Sequence, residues 1–330
     1  MQDSYGRKIE YMRISLTEKC NLRCRYCMPV DGVDVKTHDD MLSEEELINI
    51  CKVAAKLGVK KFRLTGGEPL VKKNFIEICK KIKSIPGVEE LCITTNGTLL
   101  PKYIDDLKNI GIDKINISLD TLNEEKFKYI TRVGSLKDTL DGIKSAIDAG
   151  VKKVKINSVL IGGFNDDEII DFVNLTKKYP IDVRFIELMP MYDSGDFKKD
   201  SFIPAQTVLD KLDAARIKYK KIERHDIVTG KPSDNGTAQL YRIEGAQGNI
   251  GLISPLSHNF CSTCNRVRLT ADGKLKPCLH SNQEINVKGL DIQEIENKFK
   301  EAIMAKPAEH DYLSSESRTK AGRNMNQIGG

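Results

Sequence analysis

Six short β-forming runs alternate with amphipathic helical segments through the first 190 residues, and this alternation leaves few folds open. The runs are Tyr11 to Leu16, Lys61 to Thr65, Glu90 to Thr95, Lys114 to Leu119, Lys152 to Ile161 and Asp182 to Leu188. Between the first two, Ser43 and Glu46 form a capping box, Leu47, Ile50, Cys51 and Ala54 keep helical spacing, and Gly58 stands where a C-terminal cap belongs. Phe75, Ile78, Cys79, Ile82 and Ile85 share one helical face before Pro86-Gly87 stops it. Further helices are expected near Lys102 to Asn109, from Leu136 to Ala149, and after Asn165, read as the cap of a helix with Ile169, Phe172 and Val173 inward. Strands alternating with helices make parallel βα units. Six units fall two short of a closed eight-fold barrel, so the expected fold is α/β: a partial (β/α)6 TIM-type barrel over residues 1–190, with a C-terminal extension over 191–330 closing its mouth.

In such folds chemistry gathers beyond the carboxyl ends of the strands, and the distinctive short motifs all fall there. The first strand runs into Cys20-Asn21-Leu22-Arg23-Cys24-Arg25-Tyr26-Cys27. Three thiols within eight residues are one ligand short of a closed tetrahedral site, so a cubane held by them keeps one iron open. The alternative is structural zinc with a fourth ligand from elsewhere, but the spacing differs from the paired spacing of zinc ribbons. The second strand ends in Gly66-Gly67-Glu68-Pro69, a tight turn whose missing Cβ atoms would let backbone approach a ligand. The others end in Thr94-Thr95-Asn96-Gly97, Ser118 to Asp120, and Glu187-Leu188-Met189-Pro190. Lys155, inside an otherwise apolar strand expected to be buried on both faces, needs a charge partner or an anionic ligand.

Beyond Pro190 the pattern changes to a polar loop, a helix near Ala205 to Lys218, short strand-like runs, a helix near Ile292 to Ala305 and a polar tail ending in Gly329-Gly330. This region carries Cys261, Cys264 and Cys278, for which zinc and iron-sulfur stay open, with His258 or His280 as a conceivable fourth ligand. Arg266 and Arg268 share a strand face right after the cysteine pair, a plausible clamp for phosphate oxygens. Cys51, Cys79 and Cys92 are assigned to packing. Net charge is +5, too mild to argue for nucleic-acid binding, and no apolar run reaches membrane-span length, so neither nucleic acid nor membrane is an expected partner. Clustered cysteines without an export signal fit metal ligation in the cytoplasm.

Taken together, Cys20-x-x-x-Cys24-x-x-Cys27 with Tyr26, and Gly66-Gly67-Glu68, resemble the cluster loop and Gly-Gly-Glu motif of radical S-adenosylmethionine (radical SAM) enzymes. Within that superfamily the chain is similar along its length to the GTP 3',8-cyclase family of molybdenum cofactor biosynthesis. The marks are Arg13-Ile14-Ser15, Tyr26-Cys27-Met28-Pro29, Arg63-Leu64-Thr65 before the Gly-Gly-Glu-Pro turn, Thr94 to Gly97, Asn265 to Arg268, and Met325 to Gly330. One departure is Thr17-Glu18-Lys19, where the family has Thr-Asp-Arg with the same order of charges.

The resemblance implies two 4Fe-4S clusters, on Cys20, Cys24 and Cys27 and on Cys261, Cys264 and Cys278, which speaks against a histidine ligand. It implies that Tyr26, Gly67, Ser118 and Met189 contact S-adenosyl-L-methionine, and that Arg13, Arg63, Thr94, Lys155, Arg266, Val267 and Arg268 contact GTP. Arg266, Arg268, Gly329 and Gly330 would act in catalysis, with the terminal glycines reaching into the active site. The implied reaction is hydrogen abstraction from C3' of GTP by a 5'-deoxyadenosyl radical, addition of C3' to C8, and reduction through the second cluster. A reductant such as flavodoxin or ferredoxin, hand-off to cyclic pyranopterin monophosphate synthase and a homodimer are the partners expected. A radical enzyme acting on a peptide, and a zinc-dependent nucleic-acid-binding protein, are the rival readings.

Overall fold

A computed structural model describes residues 1–33, 37–189, 201–223, 237–310 and 322–329. Six parallel strands, β1 (Tyr11–Ser15), β2 (Lys61–Thr65), β3 (Glu90–Thr95), β4 (Lys114–Ser118), β5 (Val154–Leu160) and β6 (Asp182–Glu187), pair in sequence order. The helices between and after them are α1 (Glu44–Lys56), α2 (Phe75–Lys83), α3 (Leu100–Ile110), α4 (Glu124–Thr131), α5 (Leu136–Asp148) and α6 (Ile169–Lys178). The capping box at Ser43 and Glu46 is present in full. Phe75, Ile78, Cys79 and Ile82 are buried on the inner face of α2, each large apolar side chain contributing about 1.5–3 kcal/mol. No helix among the described residues is long and apolar enough to cross a membrane.

Two expectations are corrected. Asn165 does not cap a helix with its side chain. Its amide instead donates to the carbonyls of Asp120 (2.7 Å) and Val159 (2.8 Å) and its oxygen accepts from the Ile161 amide (2.9 Å), tying the end of β5 to the end of β4. The strand carrying Lys155 is buried on both faces as expected, but it is apolar on only one of them, and its neighbours share this pattern. Met12, Ile14, Phe62, Leu64, Leu91, Ile93, Ile115, Ile117, Ile156, Val183 and Phe185 enter the core. The alternating positions, Arg13, Arg63, Thr94, Asn116, Lys155 and Arg184, belong to the opposite, inner face.

The later part of the chain continues the same sheet at both ends. After α7 (Thr207–Ala214) come β7 (Tyr219–Ile222), β8 (Gln239–Ile243), β9 (Ile250–Ile253), β10 (Arg266–Leu269), β11 (Lys274–Lys276) and β12 (Ile285–Asn286). Strand β9 pairs parallel with β6, and β10 pairs parallel with β1, giving the order β12-β11-β10-β1-β2-β3-β4-β5-β6-β9-β8-β7. The chain ends in α8 (Ile292–Met304), opened by a capping box at Asp291 and Glu294, and a one-turn helix α9 (Met325–Ile328). The register with β10 is what builds the site: Arg266 stands beside Tyr11, Val267 beside Met12 and Arg268 beside Arg13.

Candidate active site at the barrel mouth

The Cys20–Cys27 loop leaves the carboxyl end of β1 and is held by its own backbone and by the strand ends around it. The Cys27 and Met28 amides donate to the Cys24 carbonyl (2.9 and 3.0 Å), and the Arg23 and Arg25 amides donate to the carbonyls of Thr131 and Ile130 at the end of α4 (both 2.9 Å). The Arg132 guanidinium donates to the Arg23 and Met28 carbonyls (3.0 Å each), spanning the loop. The Tyr26 hydroxyl donates to Asp120 Oδ2 (2.7 Å), and Asp120 Oδ1 accepts from the Val159 amide (2.9 Å). Burial raises the Asp120 carboxyl to about 6 against these two hydrogen bonds, and burial likewise pushes the Tyr26 hydroxyl up.

The Gly-Gly-Glu-Pro turn seats the root of that loop. A Cβ on Gly66, whose φ is +149°, would lie 2.5 Å from the Thr17 carbonyl oxygen, and one on Gly67 would lie 2.6 Å from that of Glu18. The Gly67 and Glu68 amides donate to the Thr17 (2.7 Å) and Lys19 (2.9 Å) carbonyls. The glycines are thus required by backbone packing against Thr17 to Lys19, in addition to any approach of a ligand. Glu68, fully buried, accepts from the Leu70 amide (3.0 Å), Thr95 Oγ1 (2.8 Å) and the Asn96 amide (2.7 Å), linking the ends of β2 and β3.

Inside the barrel, neighbouring strands align Arg268, Arg13 and Arg63 in one row, and Thr94, Asn116 and Lys155 in another. Arg63 donates to the Tyr11 hydroxyl (2.6 Å), the Ile93 carbonyl (2.8 Å) and Thr94 Oγ1 (3.3 Å). Burial, with Arg63 and Arg266 nearby, lowers Arg13 to about 10. Lys155 is lowered to about 6, by burial first and then by Arg184, with Lys114 and Arg63 adding to it and Asp182 opposing. So many like charges on one buried face favour a polyanion between them. Sequence reasoning missed Arg184; its signal was a cation at an inner position of an apolar strand, as for Lys155.

Cys261 and Cys264 lie just before β10, and Cys278 comes after β11. Burial raises Cys264, but Arg266 and Lys306 outweigh it and hold the thiol at about 6. The buried Lys306 ammonium donates to the carbonyls of Arg266 (2.9 Å) and Pro277 (2.8 Å). The buried Arg7 guanidinium donates to the Cys261 carbonyl (2.8 Å) and is paired with Asp3 (2.6 Å). His280 packs on His310 with ring centroids 4.9 Å apart, and burial lowers it to about 3. Arg266 lies over the Phe260 ring, 5.1 Å from its centroid.

The chain's last described residues return to this mouth. Gly329 is buried, and its carbonyl accepts from the Arg268 guanidinium at 2.5 Å. Ile328 is fully buried with Met189, Leu279 and Met325 around it. Gly330 and Pro190 lie outside the described residues. Of the expected site residues, Arg13, Arg63, Thr94, Lys155, Arg266 and Arg268 share the inner face, Ser118 ends β4 within it, and Tyr26, Gly67 and Met189 lie on loops at the mouth. Val267 is the exception: its side chain is in the apolar core, so only its backbone could meet a substrate.

Among the described residues no three His, Cys, Asp or Glu side chains converge as ligands of a single metal ion would. The donor sets do suit iron-sulfur cubanes. The Cys20 sulfur accepts from the Leu22 amide (3.4 Å) and Asn96 Nδ2 (3.8 Å), bonds of the kind that cluster thiolates receive. Three thiols in the first loop would leave one coordination position of a cubane for a ligand.

Residues 14–176 match the model of the radical SAM superfamily, and residues 181–312 match that of the Molybdenum Cofactor Synthesis C family. The chain is 45% identical over its full length to all of a GTP 3',8-cyclase from Alkaliphilus oremlandii, and 47% identical, again with both chains covered in full, to one from Syntrophomonas wolfei. Among solved structures, Streptococcus suis SuiB bound to its precursor peptide SuiA aligns with a TM-score of 0.63 at 17% identity, covering 88% of this chain and 64% of that one. Native anSMEcpe with bound AdoMet aligns with a TM-score of 0.55 at 17% identity, covering 88% and 81%. At such identities the structural likeness concerns the fold.

Proposed function

The chain belongs to the GTP 3',8-cyclase family of radical SAM enzymes, and on that premise we propose how its own residues carry the reaction. It is a lyase that converts GTP to (8S)-3',8-cyclo-7,8-dihydroguanosine 5'-triphosphate, the first step of molybdenum cofactor biosynthesis. Cys20, Cys24 and Cys27 hold the radical SAM 4Fe-4S cluster. Cys261, Cys264 and Cys278 would hold a second 4Fe-4S cluster, which would supply a binding position for the guanine. When bound, the first cluster and S-adenosylmethionine supply a one-electron reagent able to remove the hydrogen at C3' of GTP.

The protein's work is positioning and exclusion of water. The row Arg268, Arg13 and Arg63, with Arg184 near Lys155, carries this reading: arginines of one sign on one inner face suit a triphosphate, and Lys155 regains its proton as the anion arrives. Arg63 is preset for it by its bonds to Tyr11 and Ile93, so little side-chain entropy is lost on binding. Tyr26, fixed by Asp120, together with Gly67, Ser118 and Met189, frames S-adenosylmethionine above. Arg266, Arg268 and the terminal glycines close the substrate's side, and Val267 contributes through its backbone. The division between barrel and extension falls near residue 190, and a low-potential flavodoxin or ferredoxin, a cytoplasmic location and hand-off to the pyranopterin-forming synthase complete the reading.

The test is anaerobic: reconstituted protein, S-adenosylmethionine and a one-electron reductant are given GTP or peptides. Formation of 5'-deoxyadenosine with the cyclic nucleotide from GTP alone is the expected result. Turnover of peptides without turnover of GTP would overturn the reading.

A further inference from the structure

We propose that Arg323 is a positioning residue for this reaction: its guanidinium, clamped between Asp272 and Glu284, anchors the C-terminal segment so that Asn326 and Gly329 stay seated between the two cysteine loops. The inference rests on the cyclase reading and adds to it the residue that holds the tail in place.

The clamp has two forks. Arg323 Nε and Nη2 donate to Glu284 Oε1 and Oε2 (2.7 and 2.6 Å), and Nη1 and Nη2 donate to Asp272 Oδ1 and Oδ2 (3.2 and 2.9 Å). Its side chain is 14% exposed, so solvent screens these pairs less than it screens surface bridges. Both carboxylates are held in turn. Asp272, in the turn between β10 and β11, accepts from Thr270 Oγ1 (2.5 Å), and Glu284 pairs with the fully buried Lys276 (2.9 Å). Glu18, two residues before Cys20, stands 3.8 Å away on the other side. Arg323 therefore joins the strand pair beside the second cysteine set to the root of the first.

The residues just beyond Arg323 are the ones the clamp positions. Asn326 Nδ2 donates to the Glu18 carbonyl (3.3 Å), at the root of the first cysteine loop. Gly329 then meets Arg268 at 2.5 Å. Helix α9 spans four residues and buries one isoleucine fully, far below the length at which a helix holds itself. The two-fork clamp at Arg323 is the strongest polar anchor of the described tail. A lysine, a point charge without the fork, would keep part of it.

The experiment compares wild type, Arg323→Lys, Arg323→Gln and Asp272→Asn, each reconstituted with clusters and S-adenosylmethionine. It reads amide hydrogen exchange in the peptide covering 322–330, exchange across β10 and β11, iron content, and kcat for GTP. In Arg323→Gln, exchange of the tail peptide is expected to rise at least tenfold and kcat to fall at least tenfold. Iron content and β10–β11 exchange should match wild type, with Arg323→Lys in between. Wild-type exchange of the tail in Arg323→Gln, or loosening of β10–β11 with loss of iron, would overturn the proposal. Should Arg323→Gln not fold, Asp272→Asn decides: it keeps the Glu284 fork and should raise tail exchange severalfold, and no rise overturns the clamp. Wild type that fails to cyclise GTP would instead sink the cyclase reading, while the exchange comparison still judges Arg323.

Discussion

Arg268, on β10, donates to the carbonyl of Gly329, 61 residues further on, and so ties the cationic row of the barrel to the end of the chain. Gly329 has a φ of +82°, and a Cβ there would lie 2.6 Å from Thr65 Cγ2. Gly329→Ala therefore adds about 1–2 kcal/mol of backbone strain to a steric clash. Tail seating should fall by at least about tenfold, since about 1.4 kcal/mol is a factor of ten. GTP cyclisation is expected to drop accordingly, while iron content and S-adenosylmethionine binding stay at wild-type levels. Full activity would show that the tail does not act in the reaction.

Lys155 gives a pH signature. Burial and the neighbouring cations lower it to about 6, so in the free protein it is neutral above that pH. A triphosphate brought beside it favours the ammonium form and raises its pKa. Binding GTP at pH 7.5 should take up close to one proton, and affinity should weaken as pH rises above about 6, by at most about tenfold per unit. Calorimetry in buffers of different ionisation enthalpy measures the uptake. Lys155→Met should abolish it, and uptake that survives the substitution would assign the proton to another group.

For stability the same lysine works in the opposite sense. Its folded pKa of about 6 lies below the ordinary lysine value. Between the two the unfolded chain holds a proton that the folded chain lacks, so unfolding free energy rises with pH through that window. Denaturant unfolding of the ligand-free protein at pH 6.5 and 8.5 should show the rise, and Lys155→Met should flatten it.

Tyr26 and the buried Asp120 make a part-buried pair at 2.7 Å. Tyr26→Phe removes one of two hydrogen bonds to that carboxyl and should cost about 1–3 kcal/mol of stability. Anaerobic denaturant unfolding gives the value. S-adenosylmethionine affinity should fall as well if the loop carrying Tyr26 frames it as proposed. A variant with unchanged stability would show that water replaces the hydroxyl.

Cys264→Ser removes a ligand of the proposed second cluster. Iron should fall from about eight to about four per chain, the difference of one cubane. Binding of S-adenosylmethionine should persist and GTP cyclisation should not. Unchanged iron would show that this triad holds no cluster.

The barrel was legible because its signals are local. Glu90 to Thr95 and Lys61 to Thr65 stand with the bounds their β-branched and apolar runs suggest, and Ser43 with Glu46 starts α1 as its capping box implies. Helix α4 escaped notice because it is short and polar, though Asn123 caps it by accepting from the Glu125 and Lys126 amides (2.9 and 3.0 Å). The joining of β9 and β10 to the barrel was not legible, since pairing between β1 and β10 leaves no periodic trace in either run. Gly67 was read as room for a ligand, and a second reason for it was not legible: the Lys19 and Glu18 carbonyls crowd the space a Cβ would take. The arginines of the inner face could be found strand by strand; the clamp on Arg323 depends on three distant segments meeting and had no local signal.

We propose that this barrel holds GTP with C3' facing the radical generated at the first cluster. The most direct measurement is turnover of GTP deuterated at C3', with mass analysis of the 5'-deoxyadenosine formed. Transfer of the deuterium into 5'-deoxyadenosine, with formation of the 3',8-cyclic nucleotide, is the expected result. 5'-Deoxyadenosine free of deuterium, with the label retained in the nucleotide, would contradict it.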